Sequence, residues 1–454
     1  MRTYELNKAP GLPLYEALYR CLRQDIRDGI LAPGDKLPSK RALATHLKVS
    51  KITVETAYNQ LLSQGLISAR ERRGYFVEDV PFASHPAPVA VAEEKAEEAI
   101  LDLAGNSPAQ FPFQLWSKLQ RRVLLDLGEK LLQPMDNQGC AALRAAIAGH
   151  LADFRGMAVK PENIIIGAGT DFLYNLLIQL LGRERLYAVE DPGYGKIRKI
   201  YAAGGVGCVS APMDESGVLP QLPRGTGVLH CSPSHHFPTG LVTPLQRRQE
   251  LLAWARDAGG YIIEDDYDSE FRFHAHPLPT LTSLDRDGRV IYMNSFSKSL
   301  TPAIRISYMV LPDGLMAKYR ESLDFYSGTV ASFEQYTLAA FVAEGYFEKH
   351  INRMRRFYKL RRDKVITALE NCPWKDRIIV QEQDAGLHFL LQTDTALEDE
   401  KLTALWEGCG IRVRTLGNYY RGQVPAWAKG VLVINYSGLD EGQLWRLDTL
   451  PEPV

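Results

Sequence analysis

Paired cysteines, long apolar runs and a signal segment are all missing from this sequence of 454 residues. The six cysteines lie far apart without a C-x-x-C pair, so neither a disulfide framework nor a zinc ribbon is predicted. No apolar run approaches the roughly eighteen residues of a membrane-spanning helix. The start, MRTYELNKAP, has no apolar signal core, and we therefore expect a cytoplasmic protein.

Net charge is also nearly absent, because 53 Lys+Arg residues balance 54 Asp+Glu. That balance hides an asymmetry. Residues 1–78 contain 13 Lys+Arg and 8 Asp+Glu, a net of +5, whereas the remainder contains 40 and 46, a net of −6. A small basic front on a large acidic body is typical of a nucleic-acid-binding domain joined to another domain. The length likewise predicts two or three domains.

The basic front has the pattern of three helices and a hairpin. Apolar side chains at four-residue steps predict a first amphipathic helix over 12–30. These side chains are Leu14, Leu18, Leu22 and Ile26. A second helix over 39–47 and a third over 49–65 each begin at a serine N-cap. Residues 66–80 alternate about the turn ERRG, which predicts a small β-hairpin with a basic tip.

This order of elements is that of a winged helix-turn-helix, whose third helix lies in the major groove of DNA. We expect DNA contacts from the second helix, the third helix and the hairpin turn. The candidate residues are Ser39, Lys40, Arg41, Ser50, Lys51, Thr53, Arg72 and Arg73. The alternative is a solvated basic surface that binds nothing.

Two stretches favour DNA binding. LPSKRALATHLKVSKITVETAYNQLLSQGLI and RRGYFV resemble the DNA-binding domain of GntR-type bacterial transcription regulators, and the resemblance spans residues 12–78. We therefore place a DNA-binding domain at 1–78. Residues 79–99 contain three prolines, six alanines and four glutamates, which predicts a semi-stiff tether. The second domain then covers 100–454.

The second domain alternates helical patterns with short apolar runs that end in glycine or polar residues. These runs are NIIIGAG, RLYAVEDPGY, GVLHCSPS, GYIIEDDYD and RVIYMNSFS. They predict the buried strands of a largely parallel α/β sheet, whose strand ends bind ligands. The expected fold class is a small α+β winged helix followed by an α/β domain.

Four strand ends carry residues that suit one cofactor. A glycine turn at Gly169 and Thr170 opens a helix whose free N–H groups suit a phosphate. Asp265 at a strand end suits a protonated ring nitrogen, and Tyr267 suits a phenolic oxygen. Two hydroxyl residues and a fork-shaped cation surround a lysine, and an aromatic ring follows another strand. These are Ser295, Ser297, Arg305, Lys298 and Tyr194. A lysine in this company is what pyridoxal 5′-phosphate needs.

Together these motifs resemble a fold-type I aminotransferase domain over roughly 105–440. PSHHFPTG, IIEDDYDSEFRF and the lysine segment SFSKSLTPAIR are similar to the MocR subfamily, in which a GntR-type winged helix precedes an aminotransferase-like domain. The resemblance implies that Lys298 holds the cofactor as an internal aldimine, with Asp265 on the pyridine nitrogen. It also implies a homodimer that binds operator DNA.

Two positions depart from working aminotransferases. Phe237 stands where those enzymes commonly have an asparagine, and Val433 stands where a substrate-binding arginine is expected. Efficient turnover is therefore not expected, although cofactor binding is. Three functions stay open: a regulator that senses an amine, amino acid or B6 vitamer through the aldimine, a competent aminotransferase with an appended DNA-binding domain, and a regulator with a cofactor-free body. We favour the first.

An effector with an anionic tail needs a cation. Arg412 or Arg414 is our candidate, and the alternative is that both lie on an exposed strand and bind nothing. Several histidines near strand ends lack a ligand pattern, and no metal site is predicted. They are His230, His235, His236, His274 and His276.

Overall fold

The computed structural model describes residues 2–4, 6, 12–80, 100–105, 110–273, 278–381 and 386–453. It divides into two compact units, Met1–Glu97 and Glu98–Val454, which are described separately. Most of the predicted tether, residues 81–99, and the two histidines His274 and His276 lie outside the described residues.

The first unit contains the three predicted helices and the hairpin. They are α1 (Leu14–Arg27), α2 (Lys40–Leu47), α3 (Lys51–Ser63), β1 (Ile67–Arg70) and β2 (Gly74–Val77). Both predicted N-caps are confirmed, because Ser39 Oγ accepts from Ala42 N and Ser50 Oγ accepts from Thr53 N. The first helix ends at Arg27, earlier than predicted, because Gly29 turns the chain with a φ of 71°.

The core of this unit lies between α1 and α3. Leu18 and Leu22 on α1 and Val54 and Leu61 on α3 are all buried. Leu14, predicted to share the buried face, is instead 41% exposed, since it is the first residue of the helix and extends past the core. The strands β1 and β2 pair antiparallel from Ile67 opposite Val77 onward, so residues 71–73 form the exposed tip of the wing.

The second unit begins with a short strand and two helices and continues as an alternating α/β chain. Its helices are α4 (Phe113–Leu127), α5 (Ala141–Arg155), α6 (Thr170–Leu181), α7 (Gly195–Ala203), α8 (Leu245–Asp257), α9 (Leu281–Leu284), α10 (Phe296–Ser299), α11 (Asp313–Ser322), α12 (Ser332–Ala343), α13 (Tyr346–Asn371) and α14 (Asp399–Gly408). Its strands are β3 (Leu101–Asp102), β4 (Ile164–Gly167), β5 (Leu186–Glu190), β6 (Cys208–Ala211), β7 (Met213–Asp214), β8 (Gly217–Val218), β9 (Thr226–Cys231), β10 (Tyr261–Asp265), β11 (Val290–Ser295), β12 (Ser307–Val310), β13 (Ile378–Gln381), β14 (His388–Thr393), β15 (Ile411–Arg412) and β16 (Val431–Asn435).

A seven-stranded sheet forms the centre of the second unit, in the order β4-β12-β11-β10-β9-β5-β6. Its strands are parallel except β12, which runs antiparallel to both neighbours. All five predicted apolar runs are strands of this sheet. Both faces are covered, since Ile164 and Ile166 of β4 pack into one core cluster and Ile165 packs into another.

A smaller sheet lies later in the chain, in the order β13-β14-β16, and is antiparallel throughout. The short strands β15 and β3 pair parallel to each other, which ties the start of the unit to its C-terminal part. Among the described residues, no helix is long and apolar enough to span a membrane.

Candidate functional site

Six chain segments meet at one edge of the seven-stranded sheet. The parallel strands β4, β5, β9, β10 and β11 end there, and the antiparallel β12 begins there. The register makes this concrete, because Ser295 lies opposite Ser307, which in turn lies opposite Gly167. Segments far apart in the sequence therefore place their polar ends side by side.

Lys298 lies on α10, directly after β11. The helix is held by Ser295, whose Oγ accepts from the Ser297 backbone N at 3.1 Å and also bonds the Ser297 hydroxyl at 2.8 Å. Burial lowers the pKa of Lys298 to about 8, and the Asp268 carboxylate opposes that shift. A lysine with a lowered pKa has a larger fraction of neutral, nucleophilic amine near neutral pH.

Asp265 ends β10 and is buried. Its Oδ2 accepts a hydrogen bond of 2.8 Å from the Tyr174 hydroxyl and lies 3.6 Å from His230 Nε2. Its Oδ1 is buried and has no hydrogen-bond partner among the described residues. A buried carboxylate with one unpaired oxygen is costly unless a donor is supplied. A protonated ring nitrogen is such a donor, so this residue fits its predicted role.

Tyr267 contacts a buried cluster that the sequence analysis did not assign to the site. His235 Nδ1 lies 3.4 Å from the Tyr267 hydroxyl oxygen and 2.8 Å from Asp268 Oδ2. The rings of His235 and His388 are 4.9 Å apart, and His388 Nε2 donates to the Pro238 carbonyl. Burial, followed by the charge of Asp268, raises the pKa of Tyr267, so its phenol stays protonated and can donate.

His235, Asp268 and His388 offer ligand atoms that lie within 4.8 Å of one another. We assign them to hydrogen bonding, because one nitrogen of each histidine is already bound to an oxygen. The absence of a metal stays a prediction. Asp268 could have been selected from the sequence, since it belongs to the same acidic run as Asp265. His388 lies on β14, and no local motif signals its position.

The start of α6 and Arg305 form the predicted phosphate end of the site. Gly169 precedes α6 with a φ of 93°, and no side chain among the described residues caps that helix. Arg305 Nη2 donates to the Ala168 carbonyl at 3.3 Å, and a Cβ at position 169 would collide with its guanidinium. Thr170 is the first residue of the helix. This cradle of N–H groups, hydroxyls and a guanidinium fits a phosphate.

Asp171 was missed by the sequence analysis. Its Oδ2 lies 2.7 Å from Lys196 Nζ and 3.6 Å from Arg305 Nη2. The cation at the phosphate end is thus shared with a carboxylate on the first turn of α6. Because the acidic group also faces the helix N-terminus, it could have been identified as part of the same cradle.

Tyr194 stays a candidate stacking residue. It precedes α7 and is 53% exposed, and its ring lies edge-on to Phe237 with centroids 6.1 Å apart. Phe237 also contacts the rings of Tyr419 and His388, each at 5.1 Å. The residue that replaces the aminotransferase asparagine therefore belongs to an aromatic wall and offers no polar atom.

The two candidate effector arginines have different surroundings. Arg412 Nη1 pairs with Asp102 Oδ2 at 3.1 Å, across the β15–β3 strand pair. Arg414 instead lies near the Tyr419 phenol, where its charge opposes the rise in that phenol's pKa that burial causes, and Tyr419 contacts Phe237. Val433 is buried in a small apolar cluster, so β16 supplies no cation at that position. Of the two, Arg414 is the one connected to the aromatic wall.

In the first unit, the eight candidate DNA contacts separate into two groups. Four side chains are exposed and carry positive charge: Arg41, Lys51, Arg72 and Arg73. The other four make contacts within the unit: Ser39, Lys40, Ser50 and Thr53. Ser39 and Ser50 are N-caps, the Ser50 and Thr53 hydroxyls bond each other at 2.8 Å, and Lys40 forms an ion pair with Glu55 at 2.7 Å. The exposed group therefore stays the candidate for direct phosphate contacts.

Comparisons with known proteins match two separate parts of the chain. The family of gntR bacterial regulatory proteins matches residues 14–77, and aminotransferase class I and II matches residues 98–447. The α-aminoadipate aminotransferase LysN of Thermus thermophilus, solved with N-(5′-phosphopyridoxyl)-L-leucine, is similar in structure. Its TM-score is 0.64 at 25% identity, over 77% of this chain and 92% of that one. The chain thus joins a winged-helix DNA-binding domain to a fold-type I aminotransferase fold.

Whole-length relatives give the family. The HTH-type transcriptional regulator YdeL of Bacillus subtilis is 35% identical over 97% of this chain and 96% of its own length. The regulatory protein MocR of Rhizobium meliloti is 30% identical over 96% of this chain and 92% of its own. The chain belongs to the MocR-type transcriptional regulators of the GntR superfamily. Its cofactor is pyridoxal 5′-phosphate, which the Asp265 and Arg305 surroundings fit.

Proposed function

We propose that this regulator binds operator DNA as a homodimer through α3 and the wing, and senses an amine, an amino acid or a B6 vitamer in the pocket around Lys298. The observation that carries the proposal is the buried Asp265 Oδ1, which has no hydrogen-bond partner among the described residues and lies at the same sheet edge as the low-pKa Lys298. A buried lysine of lowered pKa and a buried carboxylate beside it at the strand ends both suit a bound cofactor that reacts with amines.

Each side chain has a part in this scheme. Bound pyridoxal phosphate supplies an aldehyde that reacts reversibly with primary amines. Lys298 would hold it covalently, Asp265 would hold its ring nitrogen, and Arg305 with the start of α6 would hold its phosphate. Tyr267 would donate to the phenolic oxygen. Because Tyr267 contacts His235, and His235 contacts Asp268 and His388, a ligand that displaces Lys298 changes the surroundings of a connected buried cluster.

The signal then needs two arrangements of the protein that differ in their contacts with the ligand. When it is not bound to the cofactor, Lys298 would be a buried amine near Asp268, whose negative charge raises the pKa of the lysine and so favours its protonated form. We propose that this local change in charge biases the arrangement of the dimer and so its operator affinity. Two recognition helices require half-sites at multiples of a helical turn.

A competent aminotransferase is the second candidate, because the low-pKa Lys298 is also what catalysis requires. Val433 and Phe237 argue against it, since neither supplies a polar group to substrate or cofactor. Sustained turnover of an amino donor with a keto acid would favour the enzyme. The decisive experiment titrates operator DNA with and without a panel of amines, amino acids and B6 vitamers. An operator affinity that none of them changes would contradict the sensor.

A further inference from the structure

Ile52 is an apolar side chain that the fold of the first unit does not use. It lies in the first turn of α3 and is 73% exposed, whereas Val54 two residues later is fully buried. Isoleucine is among the residue types most often buried in proteins. Because the core of this unit does not bury Ile52, its side chain is available to a partner outside the unit.

The hydroxyl side chains around Ile52 already form hydrogen bonds within the helix. The hydroxyls of Ser50 and Thr53 bond each other at 2.8 Å, and the Thr56 hydroxyl donates to the Ile52 carbonyl at 2.9 Å. Lys51 and Asn59 are exposed, and Asn59 lies two turns beyond Ile52 on the same helix face. The outward face of α3 thus begins with a cation and a branched apolar side chain.

We propose that Ile52 determines part of the operator specificity by contacting the 5-methyl group of a thymine. The inference rests on the proposed function, in which α3 lies in the major groove. The first residues of a recognition helix contact base edges there, and the thymine methyl is the apolar group that the major groove presents. Lys51 beside it would bind phosphate, which fixes position without reading sequence.

A single exposed isoleucine would be unremarkable elsewhere on the surface. Ile30, in the turn after α1, is 49% exposed and lies on neither α3 nor the wing, so it serves as the matched control. Burying one methyl contributes about 0.8 kcal/mol. At about 1.4 kcal/mol for each tenfold change in affinity, that corresponds to about fourfold in Kd for each thymine contacted.

The test uses the full-length protein and an operator selected from random duplex DNA. Each thymine of that operator is replaced in turn by deoxyuridine, which removes the methyl group and nothing else. We expect one thymine in each half-site whose replacement weakens binding about fourfold for the wild type and for Ile30→Ala, but not for Ile52→Ala. A second selection with Ile52→Ala should lose the thymine preference at that position.

The outcomes separate the inference from the function on which it rests. If the wild type enriches no sequence, the proposed function and this inference both fall. If the wild type binds a defined operator and Lys51→Ala weakens that binding, but every deoxyuridine penalty is the same in Ile52→Ala, only the thymine contact is wrong. The deoxyuridine comparison within the wild type needs no variant to fold.

Discussion

The candidate DNA-binding surface of the first unit and the buried candidate pocket around Lys298 in the second unit present their side chains in opposite ways. Lys51 and Arg73 lie in solvent, where their charge is available at once to a polyanion. Lys298 and Asp265 lie at a sheet edge, where burial lowers the pKa of the amine and where one carboxylate oxygen has no hydrogen-bond partner in the described part of the chain. We therefore expect the surface to act through charge that salt can screen, and the pocket to act through groups whose energies depend on their burial.

The largest effect should come from a substitution at Lys298 that leaves the DNA-binding surface unchanged. Lys298→Ala removes the amine that would hold the cofactor, so the yellow absorbance of the lysine-bound cofactor and the effector response should both be lost completely. Arg305 and the start of α6 could still retain the cofactor loosely. Basal operator binding should survive, because the winged helix belongs to the other unit. Absorbance spectra and operator titrations with and without effector test this.

Two results would contradict that view in different ways. A Lys298→Ala protein that still responds normally to the effector would show that signalling does not pass through the lysine. A folded, dimeric variant that loses basal operator binding would show that the cofactor itself sets the DNA-competent arrangement. Arg412→Ala is a suitable control, because its ion pair with Asp102 lies on the β15–β3 strands.

The next largest effect should come from removing one positive charge from the candidate DNA-binding surface. Lys51→Ala or Arg73→Ala should weaken DNA binding severalfold across sequences and reduce the salt dependence by about one counterion. Arg23, exposed on α1, is a matched cation outside the expected contact, and Arg23→Ala should change neither quantity. DNA affinity measured at several salt concentrations for the three variants and the wild type tests this prediction. A changed preference at a single base position would mean instead that the residue reads a base edge.

A pH titration sharpens the contrast, because the pocket lysine should titrate where a surface lysine does not. Burial lowers the pKa of Lys298 to about 8 from 10.5, so its neutral form grows as pH rises through about 8. The rate at which the apoprotein takes up pyridoxal phosphate should rise over that range. Since the Asp268 charge raises this pKa, Asp268→Asn should move the rise to lower pH.

N-acetyl-lysine measured under the same conditions supplies the pH dependence that belongs to the cofactor alone. An uptake rate that keeps rising toward a pKa near 10.5 would show that Lys298 is not effectively buried. An Asp268→Asn curve shifted to higher pH would show that Asp268 acts through His235 and not through its charge.

The sequence predicted those parts of the molecule that depend on local patterns. Serine N-caps, the glycine turn before α6 and the apolar runs of the sheet each follow from a few adjacent residues, and the structure contains all of them. The predicted burial of Leu14 was wrong, because the periodicity of apolar residues shows which helix face is buried but not where along the helix the core ends. His388 was missed because it approaches His235 from a different sheet, and such a contact leaves no local trace.

The two candidate effector arginines, Arg412 and Arg414, also could not be distinguished from local sequence patterns, because they are two residues apart in sequence. Their substitution should give the smallest effect. The structure places the first against Asp102 and the second near Tyr419, beside the aromatic wall of the pocket.

Arg414→Ala should therefore weaken the response to an effector that carries a carboxylate by about tenfold, which is typical for one charge-assisted hydrogen bond. Arg412→Ala should leave that response within about twofold of wild type, since an exposed ion pair contributes little. Effector titrations followed by operator binding compare the two variants, and an amine without a carboxylate serves as a second control. If both variants respond alike, the carboxylate is bound elsewhere, and Lys196, which pairs with Asp171 at the phosphate end, becomes the next candidate.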